Sequence, residues 1–288
     1  MAIYKRTYRA YAGQLTPTWS RSWILTRYAW KYLFRSRVMT GFFSLCFVPA
    51  LIMGVGLYLN HSDSLLRLLR FPPGRPLISD FPLYFRTFVT IQCSFAIILT
   101  AFAAPTLISP DLTNNALPLF FCRPISRAEY VFGKFCVIAW LVSLMTWVPG
   151  LLLFGIEAGL SGPVWAWNNL WLANAIFFGA MGYVLILSFL GLALSAWVKW
   201  KPIAGALVLG TFFLGTGFGA AINAIMRTTN GYYIDISHMI HTVWAALFRD
   251  AGFEAGVPVV GAVIQLLAVC ALCLWLLSRK IRAFEVVR

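Results

Sequence analysis

Charged side chains are scarce in this sequence: Asp, Glu, Lys and Arg together make up 11% of its 288 residues, and only nine residues are acidic. Soluble globular proteins typically contain about 25% charged residues. Hydrophobic residues make up 60% of the chain, and its mean hydropathy is +0.79. This balance argues against a water-soluble globular protein and indicates that the main solvent of the chain is a lipid bilayer.

Motifs of several enzyme classes are also absent from the sequence. No G-x-x-x-x-G-K-[ST] occurs, so the chain has no Walker A loop to hold ATP phosphates, and Gly133-Lys134 is followed by Phe135. No H-E-x-x-H occurs, and no apolar run carries paired ionisable residues, which argues against an intramembrane protease. We therefore predict no catalytic residue, no metal site and no cofactor bound by this chain.

The six cysteines do not form the pattern of a disulfide framework. Five of them fall inside apolar runs, and Cys122 falls on the predicted cytoplasmic side, where thiols usually stay reduced. Cys270 and Cys273 have C-x-x-C spacing, but no second pair accompanies them. We interpret them as packing residues of a helix.

Six apolar runs reach the roughly 20 residues that a helix needs to cross a bilayer. Strands of a membrane barrel would instead show short alternating segments. We therefore predict an all-α membrane protein whose six-span domain covers 39–278, between a basic tail at 1–38 and a second basic tail at 279–288. The predicted transmembrane helices are 39–59, 85–108, 131–156, 168–198, 203–226 and 257–278.

Residues 19–37 predict an amphipathic interfacial helix that precedes the first span. Apolar and basic side chains separate on a helical wheel, which is typical of a helix lying on the membrane. A simple juxtamembrane anchor would show the same pattern. The apolar side holds Trp19, Trp23, Trp30, Leu33 and Phe34, and the basic side holds Arg21, Arg27, Lys31 and Arg35.

The net charge of +14 lies on one side of this predicted topology. Six spans place both termini on the same side, together with 109–134 and the pair Lys199 and Lys201, while the other side balances six basic residues with six acidic ones. The positive-inside rule makes the basic side cytoplasmic. We therefore predict a multi-pass protein of the bacterial cytoplasmic (inner) membrane with both termini cytoplasmic, and membrane lipids rather than nucleic acid as partners of the basic residues.

The polar stretch "SPDLTNNALPLFFCRP", residues 109–124, interrupts the second and third apolar runs. Ser109 is a candidate N-cap, Pro110 suits the first helical position, and Asp111 would face the positive end of the helix dipole. We predict a short cytoplasmic helix that is bent by Pro118 and ends at Arg123. The residue before a proline is disfavoured in the helical region, which sets that end.

A second helix start follows at once. Ser126 and Glu129 have the spacing of a capping box, which would begin the third span. Lys134 is expected to extend its ammonium group to the lipid headgroups. The stretch thus predicts a rigid protrusion beneath the membrane that a partner could bind, although a well-capped loop would have the same residues.

The segment "RPISRAEYVFGK", residues 123–134, closely resembles the segment that leads into the third span of ABC-2 type permeases, the membrane subunits of a class of ABC transporters. In that family a Pro-hydrophobic-Ser-Arg run is followed by an aromatic or aliphatic residue and Gly-Lys. The amphipathic first helix and the six spans are similar to the family too. The chain departs from it where Asp111 and "TNNALPL" replace a Glu followed by Gly-Thr-hydrophobic. The matching positions are Pro124, Ser126, Arg127, Tyr130, Gly133 and Lys134.

The resemblance implies a permease subunit that forms a membrane pathway and catalyses no reaction itself. It implies two separate ATPase subunits, which would bind ATP and Mg, and a second copy of this chain or a related permease. The short helix after the second span would be the coupling helix that contacts the ATPase. The residues expected to make this contact are Asp111, Asn114, Asn115, Arg123, Pro124, Ser126 and Arg127.

Four amides within the predicted spans, Gln92, Asn174, Asn223 and Gln265, are candidates for lining the pathway. Polar groups in spans usually face the bundle interior, but amides also serve as hydrogen-bonding partners between helices. The apolar, aromatic character of the spans favours an amphiphilic or lipid-linked cargo. A mechanotransmitting membrane subunit without a transported cargo fits the same residues.

A haem- or cofactor-handling membrane protein is the alternative from a different class. His61, His238 and His241 all fall on the predicted outer side, and "WAWNN", which includes Trp165, falls in another outer loop. This pattern loosely resembles proteins that hold haem against a tryptophan-rich segment, although Asn168 stands where those usually have Asp. Outer His and Trp residues more often serve as interfacial anchors.

Overall fold

The structure, a computed structural model, describes residues 18–62, 64, 77–114, 116 and 126–281, with the backbone alone for 18–22. It is 84% helical, and the residues it describes contain no β-strand, which confirms the all-α prediction. The helices are α1 (Thr18–Leu33), α2 (Arg37–Leu45), α3 (Val48–Asn60), α4 (Phe81–Leu107), α5 (Ser109–Thr113), α6 (Arg127–Met145), α7 (Trp147–Ser161), α8 (Pro163–Asn168), α9 (Leu170–Trp197), α10 (Lys201–Met226), α11 (Ile236–Leu247) and α12 (Val259–Lys280), with a 3-10 helix at Asn230–Ile234.

Six helical segments of the described chain are long and apolar enough to cross a membrane, as predicted, so the chain is a multi-pass membrane protein. The first segment consists of α2 and α3, and the third consists of α6 and α7. Each predicted span overlaps one segment, and the ends differ by a few residues. The segments are Arg37–Asn60, Phe81–Thr113, Arg127–Ser161, Leu170–Trp197, Lys201–Met226 and Val259–Lys280.

The core consists of the second, third and fourth segments, each of which is more than half buried. Helix α9 lies at its centre, because it packs against α4, α6, α7 and α12. The first, fifth and sixth segments are mainly exposed. Exposed side chains of α10 such as Phe213, Leu214 and Phe218 are apolar, as expected for surfaces that contact lipid.

Two prolines interrupt the hydrogen bonding of core helices. Pro149 lacks the N–H that would bond to Met145 four residues earlier. Gln92 of α4 replaces this donor, since its Nε2 lies 2.9 Å from the Met145 carbonyl oxygen. Pro105 likewise lies inside α4, and Gly205 of α10 lies so close there that a Cβ atom would be 2.5 Å from the Ala101 carbonyl oxygen.

Helix α1 packs against the start of α6. The buried Thr26 donates a hydrogen bond to the Gly133 carbonyl oxygen at 2.9 Å. The helix ends at Leu33 rather than at residue 37, which corrects the sequence prediction. It ends early because Ser36 caps α2 by accepting a hydrogen bond from the Met39 N–H at 3.5 Å.

Consecutive spans alternate in direction, so the connections gather at two ends of the bundle. We call the end that carries α1, α5, the start of α6 and the end of α12 the terminal face, and the other end the distal face. On the distal face, α11 turns back and packs against α9, α10 and α12. Trp244 fixes it by donating a hydrogen bond to the Gly179 carbonyl oxygen at 3.0 Å.

The close contact between α10 and α4 gives a matched test of this packing. Gly205→Ala should destabilise the protein by about 1–3 kcal/mol, because the new methyl group would overlap the Ala101 carbonyl. Gly217→Ala in the same helix meets nothing within 4 Å, and should be neutral or stabilise by up to about 1 kcal/mol. Thermal unfolding in detergent measures both; equal effects of the two variants would contradict this packing.

Candidate functional site

A largely buried ion pair lies where the second and third spans meet at the terminal face. Lys134 Nζ lies 2.8 Å from Asp111 Oδ2, and the two side chains are 8% and 19% exposed. The Tyr130 hydroxyl donates to the same carboxylate oxygen at 2.6 Å. Tyr130 and Lys134 are one helical turn apart, so both reach Asp111 from one side of α6. We call Asp111, Tyr130 and Lys134 the Asp111 cluster.

Lys134 also ties the cluster to α4. Its ammonium group donates a hydrogen bond to the Leu107 carbonyl oxygen at 2.7 Å, at the last residue of that helix. The expected position of Lys134 among the headgroups is therefore wrong. The carboxylate and the free carbonyl oxygen together replace the water that a buried ammonium group would lose.

Ser109 joins the connection to α9. Its Oγ lies 2.9 Å from the carbonyl oxygens of Ser195 and Val198 at the end of that helix. Ser109 is therefore not the N-cap that the sequence predicted: it is the first residue of α5, and Ile108 occupies the N-cap position. The Ser109 hydroxyl therefore forms hydrogen bonds between α5 and α9 instead of capping α5.

Helix α5 is shorter than predicted. It ends at Thr113, and the Ala116 N–H bonds to the Asp111 carbonyl oxygen at 2.8 Å, which closes the helix in a wider turn. Asn114 is exposed. The predicted continuation to Arg123 is wrong at Asn114 and Ala116, which are not helical; the other residues of that continuation lie outside the described residues. Those outside include three predicted coupling residues: Asn115, Arg123 and Pro124.

The start of α6 is confirmed as a capping box. Ser126 Oγ accepts from the Glu129 N–H at 3.2 Å, and the Glu129 carboxylate accepts from the Ser126 N–H at 2.7 Å. Arg127 follows as the first helical residue and is exposed, as is Ser126. The terminal face therefore presents Asn114 and Arg127 outward, while the Asp111 cluster holds α5 against α6.

Sequence reasoning identified Asp111 but missed its partners. Tyr130 entered only through the family resemblance, and Lys134 was assigned to the headgroups. The sequence did contain a signal for this cluster. A tyrosine and a lysine lie one turn apart in α6, and the preceding helix end has one acidic residue to pair with them. Their pairing depends on how the second and third spans pack together, which periodicity does not show.

Three of the four amides predicted to line a pathway bind backbone groups, in different parts of the bundle. Gln92 bonds to Met145 as described above. Asn223 accepts from the Gly231 N–H at 2.7 Å, and Gln265 donates to the Tyr233 carbonyl oxygen at 3.0 Å, so both hold the 3-10 helix. Asn174 is exposed near the start of α9. The structure thus brings Asn223 and Gln265 to one element, and places Gln92 and Asn174 elsewhere.

The histidines of the distal face pack against aromatic and carboxyl groups. His238 stacks on Tyr232 with ring centroids 3.9 Å apart, and its Nε2 lies 2.8 Å from the Ala255 carbonyl oxygen. His61 lies 3.5 Å from the buried carboxylate of Glu157. Trp165 contacts Phe81 and Phe154 instead of a histidine. This geometry gives no support to the haem-handling alternative.

No protein-family model and no curated protein matches this chain. The resemblance to ABC-2 type permeases therefore depends on residues 123–134 and on the order of the helices. Of that segment, the structure describes Ser126 onward. The family stays a prediction.

Removing one partner of the buried ion pair should be costly. Lys134→Met should destabilise the protein by about 3 kcal/mol, because the Asp111 carboxylate would be left without its counterion. The double variant Asp111→Asn with Lys134→Met should lose at least about 1 kcal/mol less than the sum of the single variants. Denaturation in detergent measures this coupling, and additive effects would show that the pair does not interact.

The pH dependence of stability should depend on His241. Burial lowers the pKa of His241, the positive charges of Arg86 and His238 lower it further, and Asp235 opposes them. The unfolded chain therefore takes up this proton first, and stability present above about pH 6.5 is lost as the pH falls through the lowered pKa.

His241→Asn should therefore reduce the loss of melting temperature between about pH 8 and about pH 5. Lowering the pKa by one in the folded state corresponds to about 1.4 kcal/mol of folding free energy that is lost at low pH. His238→Asn is the matched comparison, because His238 lies in the same helix, α11. An unchanged slope in His241→Asn would contradict this assignment.

Proposed function

We propose that this chain is the permease subunit of an ABC-2 type ABC transporter of the bacterial cytoplasmic membrane, with both termini cytoplasmic. It would form the membrane pathway with a second copy or a related permease. Two separate ATPase subunits, which bind ATP and Mg, would supply the energy. The observation that carries the proposal is the connection between α4 and α6, whose exposed residues are held on the core helices by a buried ion pair.

The contacts of this connection favour a role in transmitting force. Asp111 bonds to α6 through Lys134, and Ser109 bonds to the end of α9. A partner that moved the connection would therefore move α4, α6 and α9 together, because close-packed elements shift as bodies rather than deform. Asn114, Ser126 and Arg127 are the described coupling residues exposed to such a partner.

The exposed apolar surfaces are compatible with pairing to a second permease subunit. The first, fifth and sixth segments are mainly exposed, which leaves area for a second permease as well as for lipid. These 288 residues contain no Walker A motif, and we therefore assign ATP hydrolysis to separate subunits. An amphiphilic or lipid-linked cargo suits these apolar surfaces.

Two measurements test the proposal. A Walker-motif ATPase should purify with the intact protein from its native membranes. Replacing both Asn114 and Arg127 with Ala should then lower permease-stimulated ATP hydrolysis by about five-fold or more, because these side chains would contact the ATPase. The melting temperature of the permease should stay the same, since both side chains are exposed.

Glu254→Ala is the control, because Glu254 is an exposed charged residue of the distal face. It should leave ATP hydrolysis unchanged. Purification of the native assembly without any ATPase, or wild-type hydrolysis in the Asn114 and Arg127 variant, would overturn the proposal.

A further inference from the structure

An apolar groove of about 760 Å³ lies between α1, α6 and α9. Its volume is in the range of sites that hold a small molecule. Four tryptophans line it: Trp23 and Trp30 from α1, Trp140 from α6 and Trp147 from α7. Arg27 is the one charged side chain among the described residues that line the groove. Such a lining suits a long apolar ligand with one anionic end.

The groove is long enough to hold an acyl chain of a lipid. The hydrogen bond between Thr26 and Gly133 places the Arg27 end of the groove at the level of Gly133. Trp147 lies about 20 Å deeper along the third span, at a rise of about 1.5 Å per residue. The hydrocarbon core of a bilayer is about 30 Å thick, and each leaflet contributes about half of it, so this length matches an extended acyl chain of one leaflet.

The charge at the mouth of the groove is complementary to a phosphate group. Arg27 is exposed, so its guanidinium group is accessible to a ligand. Lys31 lies one turn further along α1 and is also exposed. The described lining contains no acidic residue that would neutralise Arg27. Guanidinium groups bind phosphate oxygens through two parallel hydrogen bonds.

We propose that this groove binds one anionic phospholipid from the leaflet at the terminal face. An acyl chain lies along the tryptophans between α6 and α9, and the headgroup phosphate binds Arg27. This site requires only that the chain spans a membrane. It is therefore independent of any ATPase and of the proposed transport.

Native mass spectrometry of the purified protein tests the site. The protein would be released from mixed micelles that contain equal amounts of phosphatidylglycerol and phosphatidylcholine. One phosphatidylglycerol molecule should be retained about five-fold in preference, which corresponds to roughly 1 kcal/mol for one basic residue at the headgroup. Equal retention of the two lipids would overturn the headgroup assignment.

Two variants locate the binding within the protein. Arg27→Gln should abolish most of the preference for phosphatidylglycerol, whereas Arg35→Gln should preserve it, because Arg35 lines a different cavity. Ala139→Phe should reduce retention of both lipids, because its ring would fill the groove. Wild-type retention in Ala139→Phe, or an unchanged preference in Arg27→Gln, would overturn the proposal. Melting temperatures verify that each variant is folded.

Discussion

A helix that is interrupted inside a bilayer leaves carbonyl oxygens that lipid cannot satisfy. The polar side chains of the core meet this requirement. Gln92 bonds to the carbonyl oxygen freed by Pro149, and Lys134 bonds to the last carbonyl oxygen of α4. Tyr183 adds a hydrogen bond between helices, because it donates to the Cys93 carbonyl oxygen of α4 at 2.7 Å. Polar side chains that look like pathway or binding residues in the sequence are thus mostly hydrogen-bond donors to the backbone. They allow the helices to be interrupted inside the bundle.

The terminal face combines this requirement with a buried charge. Asp111 and Lys134 would be unfavourable separately in an apolar core, but they compensate each other across two spans. Because the pair also bonds to Tyr130, the connection is fixed to the face of α6. The exposed side chains of Asn114 and Arg127 therefore lie at the ends of helices that are bonded to each other. A partner that binds them could move both spans, whereas a loosely attached loop would move without the spans.

The sequence was sufficient for features that are determined locally. Length and hydropathy predicted the six spans, and the spacing of Ser126 and Glu129 predicted the capping box. Features that depend on a tertiary partner were missed. Ser109 looked like a cap because its other partners lie far away in the chain, at the end of α9. Lys134 looked like an interfacial lysine because its carboxylate partner becomes close only when the second and third spans pack together.

The order of synthesis gives the ion pair a role before the fold is complete. Asp111 emerges from the ribosome ahead of Lys134, so the acid is already in place when the third span reaches the translocon. An unpaired lysine in a membrane segment opposes its insertion by about 3 kcal/mol at the helix centre, and by less near an end. Pairing would remove that opposition, and we expect the second and third spans to leave the translocon together as a helical hairpin.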